Sequence, residues 1–314
     1  MAVTNPALLS IVTPAFNEAD NLPRLHERIA AVDWRLLGLD FELLIVDDHS
    51  TDATEAVIEA LIARDPRVKT IRFSRNFGSH AALTAGLEHA TGAAAVVLAA
   101  DLQDPPETIP ALVAEWRKGA ATVWAVRGER EGESLQTRLT ARIFYSLIGR
   151  MTRMSMPPQG VDFFLLDRAV IEALRLAPER NTSLIAQIQW LGFTQASLTY
   201  TKQARAAGRS KWTLAKRIKL SLDWVVGFSY FPIRFMSAVG MLFAFLGFFY
   251  AFFLIVRRFV FVIPVEGWTS LISVVLITSG VQLMMLGVLG EYLWRSFEAS
   301  RQRPRYIIER RRGG

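Results

Sequence analysis

The sequence predicts an α/β protein built on a doubly wound, mostly parallel sheet, followed by a basic amphipathic segment and a hairpin of two long apolar helices. Three observations predict it. Short apolar runs alternate with helix-length stretches through about the first 200 of the 314 residues, which is the rhythm of βαβ units. Two later runs are almost free of charge over lengths that suit a bilayer. The composition falls between classes, with 51% hydrophobic and 21% charged residues and a mean hydropathy of +0.25. That is too apolar for an ordinary soluble enzyme and too charged for an all-membrane bundle.

The expected strands are Leu8 to Thr13, Phe41 to Val46, Val68 to Phe73, Ala94 to Ala99 and Thr122 to Val126. Each is a compact apolar run separated from the next by a stretch long enough for a helix. Together they make a first domain, residues 1–203. Its start, MAVTNPALLSIVTPAF, has neither a basic n-region nor a long apolar core, so no secretory signal is read there. Residues 204–230 form the basic interface segment, where Lys216, Arg217 and Lys219 interleave with Leu214, Ile218, Leu220 and Leu222.

Residues 231–294 form the hairpin. Met236 to Val256 carries no charge over 21 residues, enough at ~1.5 Å per residue to cross a hydrocarbon core of ~30 Å. Thr269 to about Leu293 is the second run, flanked by Trp268 and Trp294, whose rings suit the interface. Small residues line one side of the first run, at Ser237, Gly240, Ala244, Gly247 and Ala251, and recur at Ser273, Gly280 and Gly287 of the second. They suit close packing within the hairpin or against a neighbouring subunit, so a homo-oligomer stays open. Residues 295–314 are read as a basic tail.

Lys and Arg outnumber Asp and Glu by 36 to 29. Seven of the basic residues lie between Lys202 and Lys219 with no acid among them, and more follow the second run, against Arg257 and Arg258 in the connecting loop. This asymmetry puts both termini and the first domain in the cytoplasm. It also favours anionic headgroups as the partner, with no nucleic acid. No cysteine is present and the four histidines lack zinc-site spacing, so a metal here must be held by oxygen.

Ligands of such sheets bind beyond the carboxyl ends of the strands, and acids crowd there: TPAFNE, DDHSTD and ADLQDPPE. Asp52 with Glu55, and Asp104 with Glu107, have capping-box spacing and are read as structural. Capping does not explain Asp47, Asp48, Asp101 or Gln103. Clustered carboxylates call for a cation, and Mg²⁺ or Mn²⁺ bridging to a nucleotide diphosphate fits hard oxygen ligands. Neither a P-loop nor a GxGxxG fingerprint follows any strand.

In order, TPAFNEADNL, IVDDHSTDAT, RNFGSHAALTAGL, ADLQDPPE, the stretch Arg205 to Trp212 and GEYLWRSFEASRQRPRY resemble the family-2 glycosyltransferases of GT-A fold. Within them they are similar to the polyprenyl-phosphate glycosyltransferases, relatives of dolichol-phosphate mannose synthase and the bactoprenol glucosyltransferases. The resemblance runs from Ser10 to Tyr306. It implies that Pro14, Asn17, Glu18, Asp47 and Asp48 bind the nucleotide, and that Asp101 and Gln103 hold the metal. It also implies that Asp162 serves as a base or orients the acceptor. Two departures stand out. Ala99 replaces the first Asp of the usual Asp-x-Asp-x-Gln, and Phe163-Phe164 follows Asp162 where relatives often have an arginine.

The expected activity is inverting transfer of a sugar, a UDP-hexose first, to undecaprenyl phosphate on the cytoplasmic face of the inner membrane, for cell-envelope glycans. Arg127, Arg138, Arg142, Arg205, Ser210 and Lys211 are the candidates for the acceptor phosphate. Arg138 and Arg142 fall at i and i+4 of an amphipathic stretch, which also suits a plain solvated face. Two alternatives remain. A processive polysaccharide synthase would need QxxRW and more spans, whereas this chain reads Gln187-Ile188-Gln189-Trp190. A non-catalytic nucleotide-sugar sensor is motivated by Ala99.

Overall fold

The computed structural model describes residues 7–128, 161, 163–177, 183–201, 203, 231–260 and 267–313. The chain divides into two compact units, one of Met1–Arg217 with Pro304–Gly314 and one of Ile218–Arg303. In chain order the first unit contains β1 (Ala7–Ala15), α1 (Leu22–Ala30), α2 (Trp34–Leu37), β2 (Leu39–Asp47), α3 (Thr54–Arg64), β3 (Val68–Phe73), α4 (Ser79–His89) and β4 (Ala94–Val97). Then come a 3-10 turn at Pro106–Thr108, α5 (Ile109–Arg117), β5 (Thr122–Arg127), β6 (Phe163–Asp167), α6 (Arg168–Leu176), α7 (Leu184–Trp190) and β7 (Gln195–Tyr200). The last strand, β8 (Ile308–Arg312), follows the helices of the second unit, α8 (Phe231–Val260) and α9 (Trp268–Ser300).

The sheet order is β7-β5-β6-β4-β1-β2-β3-β8. β1, β2, β3 and β4 run parallel, as do β5 and β7; β6 runs against both β4 and β5, and β8 runs against β3. The mixed, mostly parallel sheet is the expected one. β6 is the apolar run after Asp162, and it is antiparallel.

Period-two alternation gives the sheet two apolar faces. Leu9, Ile11, Phe41, Leu43 and Ile45 meet Leu22, Leu25 and Ile29 of α1, Ile58 and Leu61 of α3, and Ile109, Leu112 and Val113 of α5. On the opposite face Val12, Val97, Trp124, Phe164 and Leu166 meet α6 and α7, while Leu44, Val46, Ile71 and Phe73 meet Ala82 and Ala85 of α4. Gly86 lets α4 close on the sheet, because a Cβ there would stand 2.2 Å from Val12 Cγ1 and 3.2 Å from Val46 Cγ2.

β8 was not expected. Its Arg310 to Arg312, counted in the basic tail, are strand residues set beside α3: Arg310 pairs with Glu55 at 2.8 Å and Arg312 with Glu59 at 2.6 Å. Just upstream, the Tyr306 ring stacks on Phe73 with centroids 5.1 Å apart, and its hydroxyl donates to Glu88 on α4. Burial first, then the Glu88 carboxylate, pushes the Tyr306 phenol well above its ordinary value. The strand also covers the edge that β3 would otherwise present.

In the second unit, Ile233–Tyr250 and Ser270–Glu298 are long and apolar enough to cross a membrane. Their apolar side chains are outward, with Met241 75%, Phe248 68% and Leu283 69% exposed. A soluble core helix would bury them. The two helices approach at Gly240, where a Cβ would lie 2.7 Å from Met285 Cε, whereas Gly247, Gly280 and Gly287 have open space above them. One position of the small-residue stripe is thus used within the hairpin.

Gly86→Ala is expected to push α4 off β1 and β2, at a cost of about 1–3 kcal/mol typical of overpacking. A lowered urea midpoint with unchanged slope will show it.

Candidate functional site

β1 pairs in parallel with both β2 and β4, so the strand order reverses there and a crevice opens beyond the carboxyl ends of the three strands. In the loops that follow these strands three non-glycine residues take a left-handed backbone: Asn17 at φ 57°, His49 at φ 61° and Leu102 at φ 60°. Such conformations are costly unless the surroundings hold them, and they concentrate at functional sites.

The holding contacts are specific. Asn17 donates its backbone N–H to Ser50 Oγ at 3.0 Å, and its Oδ1 accepts from Thr51 N at 2.9 Å. Glu18 N donates to Thr54 Oγ1 at 2.9 Å, and Asn21 Nδ2 donates to Glu18 Oε2 at 2.7 Å. The loop after β1 is thereby fastened to the loop after β2. Pro14 lies half-buried in β1, opposite Val46.

Asp47 and Asp48 are 1% and 3% exposed. Asp47 accepts from Ser50 N at 2.8 Å through Oδ1 and forms an ion pair with Arg72 through Oδ2. Asp48 accepts from Phe77 N at 2.6 Å and Gly78 N at 2.8 Å, which fixes the turn ahead of α4. Burial raises the Asp48 pKa and the neighbouring Asp47 charge adds to this, against the two N–H donors, which lower it. Both carboxylates are thus engaged by the turn itself.

At the third strand end, Asp101 and Gln103 flank Leu102, and Gln103 N donates to Asp101 Oδ1 at 3.2 Å. The Gln103 carbonyl accepts from Gln203 N at 2.9 Å. Asp104 is fully buried and accepts from the Tyr200 hydroxyl at 2.5 Å. Its role is structural as expected, but it caps no helix; nor does Asp52 occupy the N-cap of α3, although it accepts from Thr54 N at 3.0 Å. Glu107 instead pairs with Arg28, which also donates to Gln203 Oε1 at 3.1 Å. The Arg28 guanidinium holds the Glu107 carboxyl below its ordinary value.

Among the described residues no group of three or more His, Cys, Asp or Glu could hold a metal. Ala99, on the approach to Asp101, brings only a methyl group. The donor set here is one carboxylate and one amide, all oxygen. It fits a hard divalent ion that takes its remaining ligands from phosphates and water.

Pro14, Asn17, Glu18, Asp47, Asp48, Asp101 and Gln103 therefore all lie at or beyond the carboxyl ends of β1, β2 and β4. Arg127 ends β5 on the same edge of the sheet, half-buried and with no ion-pair partner among the described residues. Asp162, Arg138, Arg142, Arg205, Ser210 and Lys211 lie outside the described residues. Sequence reasoning missed Arg72, a cation at the end of β3 whose only signal was its place in VKTIRF, and Tyr200, the aromatic that secures Asp104.

The family description "Glycosyl transferase family 2" matches residues 10–175. The chain is 37% identical over 304 residues to the bactoprenol glucosyl transferase of Shigella phage SfX, covering 97% of this chain and 99% of that protein. It is 38% identical over 304 residues to the uncharacterized glycosyltransferase YkcC of Bacillus subtilis, covering 97% and 94%. Among solved structures it is similar to the mannosyltransferase PcManGT from Pyrobaculum calidifontis in complex with GDP-Man and Mn²⁺, at 17% identity and TM-score 0.47, over 96% of this chain and 77% of that one.

Asp48→Asn must turn its NH₂ toward either Phe77 N–H or Gly78 N–H. It is expected to cost about 1–3 kcal/mol, the penalty of an unsatisfied buried donor. An unchanged denaturation midpoint would contradict the anchoring role.

Proposed function

The chain belongs to glycosyl transferase family 2 and carries a GT-A-like mixed sheet; from that premise we propose that it transfers a sugar from a nucleotide-sugar donor, a UDP-hexose first, to a membrane-borne polyprenyl phosphate. One observation carries the acceptor reading. The likeness to a bactoprenol glucosyl transferase extends over 97% of the chain, so it takes in the crevice and the apolar hairpin together.

In this reading Pro14, Asn17, Glu18, Asp47 and Asp48 receive the base and ribose. Asp101 and Gln103 would hold Mg²⁺ or Mn²⁺, which would supply Lewis-acid stabilisation of the leaving diphosphate. Arg127, Arg138, Arg142, Arg205, Ser210 and Lys211 gather the acceptor phosphate. The bond from Gln203 to the Gln103 carbonyl supports this, since the chain leaves the metal loop directly for the Arg205 to Lys211 stretch. A phosphate with a second pKa of about 6 is already ionised at neutral pH, so its oxygen needs little help from a base. Asp162 then orients rather than deprotonates. The phosphate oxygen attacks the anomeric carbon as the bond to the diphosphate breaks and takes its electron pair with it. The sugar configuration inverts in that single displacement.

The hairpin anchors the enzyme in the cytoplasmic membrane as two spans. Covalent connectivity supports the count: strands on both sides of the helices in sequence belong to one sheet, which requires an even number of crossings. The basic residues near the hairpin put that sheet in the cytoplasm.

Purified protein incubated with labelled nucleotide sugars, polyprenyl phosphate and Mg²⁺ should move label into an organic extract. Asp101→Ala should cut the rate on the order of a hundredfold or more, because Lewis-acid stabilisation is worth several kcal/mol. No lipid label from any common donor would overturn the reading. Nucleotide binding without turnover, unrescued by Ala99→Asp, would instead indicate a sensor.

A further inference from the structure

We infer that Glu309, on the C-terminal strand, is a positioning residue for the donor nucleotide, acting through Arg72 and His49 on the Asp47-Asp48 turn; this rests on the nucleotide-site reading above. The Arg72 guanidinium is 14% exposed and faces three carboxylates. Its Nη1 pairs with Asp47, the same nitrogen lies 3.4 Å from Glu55 Oε2, and its Nε lies 3.4 Å from Glu309 Oε2. Glu309 Oε2 is also 3.9 Å from His49 Nδ1, and that imidazole nitrogen contacts the Phe73 carbonyl at 3.0 Å. Asp47 and His49 bracket Asp48, so Glu309 touches the partners of the turn from outside the crevice.

The register makes this specific. Arg72 and Arg310 stand opposite each other on β3 and β8, a like-charged pair that opposes strand pairing on its own. Glu55 bridges them, with Oε2 toward Arg72 and Oε1 toward Arg310 at 2.8 Å. Glu55 is thereby shared, and the register irregularity between Arg72 and Phe73 falls where Glu309 reaches Arg72. With Glu309 neutral, Arg72 is drawn toward Glu55 and its hold on the buried Asp47 loosens. Arg312 gives an internal control, because it pairs with Glu59 and touches neither Arg72 nor His49.

The test uses full-length protein in detergent, with UDP as the probe in calorimetry and UDP-glucose as donor in the lipid-transfer assay. Glu309→Gln is expected to raise the UDP dissociation constant and donor KM by about three- to fivefold, the scale of a partly exposed ion pair, with kcat at saturating donor within about twofold. Arg312→Gln should lower thermal stability to a similar extent and leave both donor constants unchanged. Unchanged donor constants in Glu309→Gln overturn the inference alone, as does an equal rise in Arg312→Gln, which would mean general loosening of the strand. Failure of the wild-type protein to bind UDP or any other common nucleoside diphosphate overturns the nucleotide-site reading, and this inference with it.

Discussion

The parallel pairing of β1 with both β2 and β4 is the constraint on which the site depends. It sets the carboxyl ends of three adjacent strands side by side, and the helices that follow them, α1, α3 and α5, all cover one face of the sheet. Three residues, Asn17, His49 and Leu102, leave their strands in a left-handed backbone, at a cost on the order of 1–3 kcal/mol each. Side chains from neighbouring loops offset that cost: Ser50 and Thr51 hold Asn17, and Asp48 holds the turn at Phe77 and Gly78. The carboxylates of the DDHSTD motif are therefore part of the scaffold before any ligand arrives.

The same crevice is joined to distant parts of the chain. Gln203 binds the Gln103 carbonyl at the head of the basic segment, and Arg28 gathers Glu107 and Gln203. From the other side, β8 follows the apolar hairpin in sequence and completes the sheet edge, with Glu309 paired to Arg72 of β3 and Arg310 and Arg312 paired to Glu55 and Glu59 of α3. On the proposed function, an enzyme whose acceptor lives in lipid has its donor crevice linked covalently to the membrane anchor at both ends.

Much of this was legible in the sequence, and the reasons differ by element. β1, β2, β4 and β5 are buried on both faces over most of their length, so they read as compact apolar runs, and the helix-length spacers made their direction legible too. β6 read as an apolar run, but its antiparallel direction could not be inferred from periodicity. β7, QASLTY, alternates polar and apolar residues weakly. β8 was hidden by its arginines: in YIIERRR the charge count pointed to a bilayer surface, whereas Glu55 and Glu59 are the partners of Arg310 and Arg312. Asp104 shows the opposite error of detail. Its spacing to Glu107 suggested a cap, yet burial beneath Tyr200 is what employs it. The motifs fall at the strand ends because those ends are fixed by hydrophobic pattern. The partners of each acid came from loops far away in sequence, and spacing carries no record of them.

The proposed chemistry turns on a cation shared between protein and donor, because one carboxylate and one amide are too few ligands to retain it alone. Titration of Mn²⁺ into the full-length protein, with the free-ion electron paramagnetic resonance signal followed in the presence and absence of UDP, tests this most directly. The proposed site predicts negligible uptake of the ion alone, stoichiometric uptake with UDP, and loss of that uptake in Asp101→Ala. Stoichiometric Mn²⁺ binding without nucleotide, or cooperative uptake that survives Asp101→Ala, would contradict it.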